Sequence, residues 1–150
     1  MSYQKYGYRV ALPEHPEAIV FVIGMLARNI TGWLWMWRQM NSQLQSVRRA
    51  TGCVQVKGGI VGPNELLMVV YWKDTESMRA YFKSPQHLDY MSFLVKHPES
   101  LTLWNETYQP TKSGMYLHEP HGLSQIYERS GYRKSEFGPK NSLGPEQGPR

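Results

Sequence analysis

The chain has 150 residues, of which 41% are hydrophobic and 13% aromatic, with five Trp and ten Tyr. That suits one domain with large side chains to bury or to line a pocket. The formal charge is +5, and residues 129–150 supply +3 of it from five Lys/Arg against two Glu. The body is therefore only mildly basic. Its Arg38, Arg48 and Arg49 fall on a helix instead of among the aromatics of a sheet, which argues against a nucleic-acid partner. Cys53 is the only cysteine, so no internal disulfide forms, and an oxidising compartment is not indicated. At a strand entrance it reads as a small buried hydrophobe. The apolar run 18–26 follows Glu14, His15, Pro16 and Glu17 and not a basic region. It is also too short to span a bilayer. A soluble cytoplasmic protein without a transmembrane segment is expected.

Residues 1–16 are polar and aromatic and carry Pro13 and Pro16, the marks of an extended arm. The run Glu17 to Met25 is β-branched and apolar over the length of a strand. Residues 27–32 turn the chain, with Thr31 placed to cap a helix. Apolar residues then recur at 33, 37, 40, 44 and 47, one stripe of a helix reaching about Ala50, where Gly52 stops it. A second strand, Val54 to Val61, contains Gly58 and Gly59, which suggest a bulge or a close backbone contact. The turn 62–65 then makes Leu66 to Trp72 its antiparallel hairpin partner. Asp74 or Thr75 caps a further helix, which Ser84-Pro85 breaks. A second helical piece runs from His87 to Lys96 and ends at Pro98. The last strand is Leu101 to Tyr108. Residues 17–128 thus form the domain, and the Gly- and Pro-rich stretch 129–150 is expected as a disordered basic tail.

The order βαββαβ predicts a ferredoxin-like α+β fold, an antiparallel sheet with its helices on one face. Side chains alternate along a strand, yet both faces of the first and third strands are apolar. Helices cover only one face. A second copy closing face to face, as a dimeric α/β barrel, is the economical cover for the other.

Several segments resemble the dimeric α/β-barrel superfamily of antibiotic-biosynthesis monooxygenases, and within it the small monooxygenase-like proteins typified by one in fungal fumagillin biosynthesis. The carrying residues are Val20 to Met25, the tryptophan-rich start of the first helix, and Val70-Tyr71-Trp72-Lys73 followed by Glu76 to Tyr81. Ser84-Pro85-Gln86-His87 and Leu103 to Tyr108 complete the set. The resemblance spans about residues 17–118. It implies a small monooxygenase-like enzyme that oxygenates a hydrophobic, aromatic or polyketide-like substrate without a cofactor, in a cleft between helices and sheet. It also implies a homodimer. One position departs: the family's last strand commonly reads Trp-His-Glu-Thr-Tyr, and here the histidine position is Asn105. An amide cannot shuttle protons as imidazole does, but it can orient a phenol, carbonyl or dioxygen by hydrogen bonding.

The catalytic candidates are His87, Asn105 and Glu106. His87 opens a helical piece and can serve as a base. Asn105 shares a strand face with Leu101, Leu103 and Thr107, and Glu106 shares the other with Trp104 and Tyr108. Glu106 becomes a base if burial raises its pKa; otherwise it pairs with a cation such as Arg28 or Arg79. Trp33, Trp37, Tyr71 and Trp104 are the candidate walls of the substrate site. Trp35 points away from the core stripe and is expected under the N-terminal arm with its Tyr3, Tyr6 and Tyr8. His118 and His121 lack a placed third ligand, so no metal is assigned. No G-x-G-x-x-G follows the first strand, so no nucleotide cofactor is expected. Two alternatives stand beside the oxygenase: haem in the same cleft with His87 or His97 as ligand, and a non-catalytic ligand-binding or interaction module.

Overall fold

A computed structural model of the chain describes residues 7–112 and 114–131. Its elements in chain order are strand β1 (Tyr8–Val10), strand β2 (Ile19–Ala27), helix α1 (Ile30–Arg49), strands β3 (Cys53–Gly62) and β4 (Glu65–Trp72), helices α2 (Thr75–Phe82) and α3 (Pro85–Lys96), strand β5 (Leu101–Tyr108), a 3-10 turn (Gly122–Gln125) and strand β6 (Arg129–Gly131). The main sheet is antiparallel in the order β3-β4-β2-β5, with helices across one face. This is the expected ferredoxin-like α+β architecture.

Local chemistry sets the helix ends. The Asn29 side chain, not Thr31, caps α1 by accepting from the Gly32 N–H at 2.9 Å. Asp74 caps α2 by accepting from the Ser77 N–H at 2.7 Å, and Ser84 caps α3 ahead of Pro85. Gly52, at φ +82, turns the chain out of α1 where other residues would be strained. Of the two roles expected for the β3 glycines, a bulge or a close contact, Gly58 takes the second. The register shifts fall at 53/55 and 60/62, outside the pair. Gly58 instead lets Leu44 of α1 approach the strand.

The helix-side core joins Ile19 and Phe21 of β2, Val56 of β3, Val70 and Trp72 of β4, Val47 of α1 and Met78 and Tyr81 of α2. Along α1 the buried residues are Gly32, Met36, Gln43 and Val47, so the first half of the expected stripe is rotated by one position. The cause is a close approach: the start of α1 lies against the Ser100 carbonyl, which also accepts from the Arg28 N–H at 2.9 Å. Met36 then faces inward, and Trp33 turns outward.

The opposite face of the sheet carries a second layer made by the same chain. β1 pairs with β6, and Tyr8, Val10, Ala18 and Leu123 form a buried cluster with Val20 and Tyr71 of the sheet. The Ala18 N–H donates to the Tyr127 hydroxyl at 3.1 Å, and Arg129 lies over the Tyr8 ring. Part of the two-sided burial that pointed to a second subunit is thus supplied within the chain. Residues 132–150 of the expected tail, and Tyr3 and Tyr6, lie outside the described residues.

Candidate active site

A cavity of about 50 Å³ lies between the helices and the sheet. Phe21, Ile23 and Met25 of β2, Met68 of β4 and Leu103 of β5 form its floor, and Trp35, Gln43 and Val47 of α1 with residues of α2 and α3 form its roof. These positions follow from the pleat: odd residues of β2 and β5 and even residues of β4 face the helices. The roof is lightest over α3, which has no buried residue and exposes Leu88, Met91 and Val95.

His87 is the titratable base of this cavity. Its ring is half-buried against Tyr81 and Phe82, with centroids 5.4 and 5.0 Å away. Nδ1 lies 3.0 Å from the Phe82 carbonyl. A carbonyl only accepts, so Nδ1 carries the proton and Nε2 keeps its lone pair in the neutral ring. Burial pushes the imidazole below its ordinary range, with the Phe82 contact opposing. The side chain is therefore neutral at pH 7 and fit to accept a proton.

Gln43, 9% exposed, also lines the cavity, and its amide has no hydrogen-bond partner among the described residues. Its amide atoms keep some access to solvent, so water or a polar group of a ligand can reach them. Sequence reasoning passed over this residue because it falls one position off the apolar stripe it was measured against. Tyr81 of α2, whose phenol burial pushes up, and Trp35 of α1 also line the cavity without having been site candidates. Trp35 is covered not by the arm but by α3, stacked on Phe93 with centroids 4.3 Å apart. The arm covers the other side of the sheet.

The seven candidates from the sequence do not converge. His87 alone lines the cavity. Asn105 is exposed, on the helix-side face, opposite Ile23 across the ladder and one pleat beyond Leu103. Glu106 and Trp104 point to the far side of the sheet, and so does Tyr71, because each is one residue out of phase with a cavity residue. Glu106 accepts from the Tyr108 hydroxyl of its own strand rather than from Arg28 or Arg79, and this carboxylate holds the Tyr108 phenol up. Trp104 lies flat on Gly24, where a Cβ would fall 2.2 Å from its Nε1. Tyr71 packs under the 3-10 turn in the second cluster. Trp33 and Trp37 both donate Nε1 to the Pro63 carbonyl, at 2.7 and 3.3 Å, and close the hairpin end of α1 away from the cavity. The outward turn of Trp33 follows from the rotation of α1, whereas Trp37 packs against the cluster of Ala27, Met36, Leu66 and Leu101.

His97 packs on Phe93 at the end of α3. His121 faces Gln55 with Nδ1 3.1 Å from Nε2, which locks the 3-10 turn to β3. Among the described residues no group of three His, Cys, Asp or Glu is arranged to hold a metal. No described helix is long and apolar enough to cross a membrane. Cys53 is half-buried and burial pushes its thiol up, as expected of a small core residue.

A four-stranded antiparallel sheet roofed by helices makes this a ferredoxin-like α+β protein. Similar solved structures include a mutant of SnoaB, a cofactor-independent oxygenase from Streptomyces nogalater, at 13% identity over 64% of this chain and 95% of that one, TM-score 0.52. A proposed antibiotic-biosynthesis monooxygenase from Deinococcus radiodurans is 17% identical over 62% and 93%, TM-score 0.53. A protein from Shewanella oneidensis is 18% identical over 72% and 97%, TM-score 0.54. At these identities the likeness is one of fold. No curated protein matches the chain. Residues 18–123 match the family described as monooxygenase af470-like, and the chain belongs to that family.

Proposed function

We propose that the protein is a small monooxygenase-like enzyme that takes a hydrophobic, aromatic substrate into the cleft between helices and sheet and oxygenates it without a bound cofactor. One observation carries the reading: in an apolar cavity, His87 is held neutral with Nδ1 engaged and Nε2 available. In this scheme Nε2 takes a proton from an acidic phenol or activated C–H of the substrate. The resulting anion is the electron donor to dioxygen, and the surrounding aromatic and aliphatic side chains keep water from quenching it. The unpartnered Gln43 amide orients the anion, a part that the departure at Asn105 leaves open. Asn105 stands at the strand end of the cleft, where it contacts the portion of a substrate that extends past Leu103. Glu106 has no place at this cavity.

Aromatic ring systems need several hundred cubic ångströms, so a cavity of about 50 Å³ opens before it binds one. α3, with no buried residue, is the element that moves. A porphyrin is larger still than such ring systems. The haem alternative therefore finds no support there.

The uncovered half of the outer face exposes Trp104 and Tyr108 beyond the edge of the second cluster. A second copy laid against this half completes the burial and gives the homodimer that the family resemblance implies.

The test is oxygen uptake with a panel of phenolic polycyclic aromatics. Wild-type protein should consume dioxygen, and H87Q should be slower by about 10²–10⁴-fold while its circular dichroism is unchanged. Equal rates for wild type and H87Q would remove His87 from the reaction.

A further inference from the structure

Behind the helix-side cavity lies a second opening, a groove of about 460 Å³ between α1 and the α2–α3 turn. Its chemistry is the reverse of the cavity's. Ser42, Ser46, Arg49, Ser77, Ser84 and Gln86 supply hydroxyls, an amide and one guanidinium, and no Asp or Glu lines it. Among the described residues Arg49 makes no ion pair.

The two spaces share a wall. The rings of Tyr81 and Tyr90 line both. On the groove side their hydroxyls meet serines one turn apart on α1: Tyr90 with Ser42 at 3.1 Å, and Tyr81 with Ser46 at 3.4 Å. The first pair is exposed, and Tyr90 belongs to α3, the helix without a buried residue. Swinging Tyr90 aside breaks one exposed hydrogen bond, which water can replace, and joins cavity and groove.

We infer that the ligand is amphiphilic: an aromatic body in the helix-side cavity and a carboxylate in the groove, held by Arg49 and the serine hydroxyls. A lone cation among neutral donors selects a monoanion. A dianion would leave charge unmatched, and a cation would be repelled. The guanidinium offers paired N–H donors in the plane a carboxylate needs. The N-terminus of α3, capped by Ser84 at the groove wall, adds a favourable dipole.

This inference rests on the cleft being the binding site, and the experiment separates the two. Isothermal titration compares naphthylacetate with its neutral isostere naphthylacetamide. The acid should bind about tenfold more tightly to the wild type, the margin of one charge-assisted pair. R49Q should erase that margin while leaving the affinity for the amide unchanged, and R49K should keep part of it. Equal affinities in the wild type, or a margin that survives R49Q, overturn the anion subsite and leave the cleft standing. If neither compound binds, both readings fall.

Discussion

The two faces of the main sheet are equally apolar in the sequence and are covered in different ways. On the helix side, Trp72, Met36 and Val70 are each 1% exposed, and a small cavity persists under the weakly packed α3. On the outer side, a three-residue strand pair and a 3-10 turn cover Val20 and Tyr71, and the edge strand β5 keeps Trp104 and Tyr108 in solvent. The contrast shows that apolar alternation reports burial and does not say by what. One cover is a set of three helices fixed by topology, and the other is assembled from both ends of the described chain. The candidate site residues follow the same division. The half-buried base lies on the helix side, and the carboxylate of β5 lies on the far side with a tyrosine as its partner.

The comparison sets an order of effects. Trp72→Ala strikes the best-packed point and should cost about 3–5 kcal/mol in urea unfolding. Leu123→Ala, beneath the outer cover, should cost less, about 2–3 kcal/mol, and leave ligand binding at the cleft intact. If the two losses come out equal, the outer layer is as much a part of the core as the inner one. Trp104→Asp places a charge on the uncovered half. It should shift light-scattering mass from dimer to monomer without changing the circular dichroism, and a wild type that is already monomeric would remove that half from any interface.

His87 gives the contrast a pH dependence. Burial holds its folded pKa below the ordinary value of about 6.5. As pH falls through that value the unfolded chain takes up a proton first, so stability declines from about pH 6.5 downward until the folded imidazole also protonates. Activity should fade over the lower part of the same window, as Nε2 is lost as a base. His87→Gln should abolish this acid limb in unfolding experiments, and a limb unchanged in the variant would assign it elsewhere. The smallest effect belongs to Asn105→Ala, whose exposed side chain should alter stability by no more than about 0.5 kcal/mol.

Much of this was legible in the sequence. The order of the strands, the capping Asp74, the stop at Gly52 and the Ser84-Pro85 break are local signals, and the structure has each of them, with β2 two residues later than expected, at Ile19–Ala27. The phase of β5 was legible too: Asn105 with Leu103 on one face, Glu106 with Trp104 on the other. What a single strand cannot disclose is which face receives the helices. That choice separates Glu106, Trp104 and Tyr71 from His87 by the thickness of the sheet.

The sequence alone determined the order of elements, the two-sided apolarity of the strands, and His87 as a candidate base at the start of α3. Tertiary structure decided the rest. It rotated α1 against the Ser100 carbonyl, which put Gln43 and Trp35 at the cavity in place of Trp33 and Trp37. It folded Tyr8–Val10 against Arg129–Gly131 to cover one end of the outer face. The reason is one of range. Caps, turns and pleats are fixed by neighbours a few residues away, whereas the angle of a helix on a sheet depends on contacts between residues as far apart as Gly32 and Ser100.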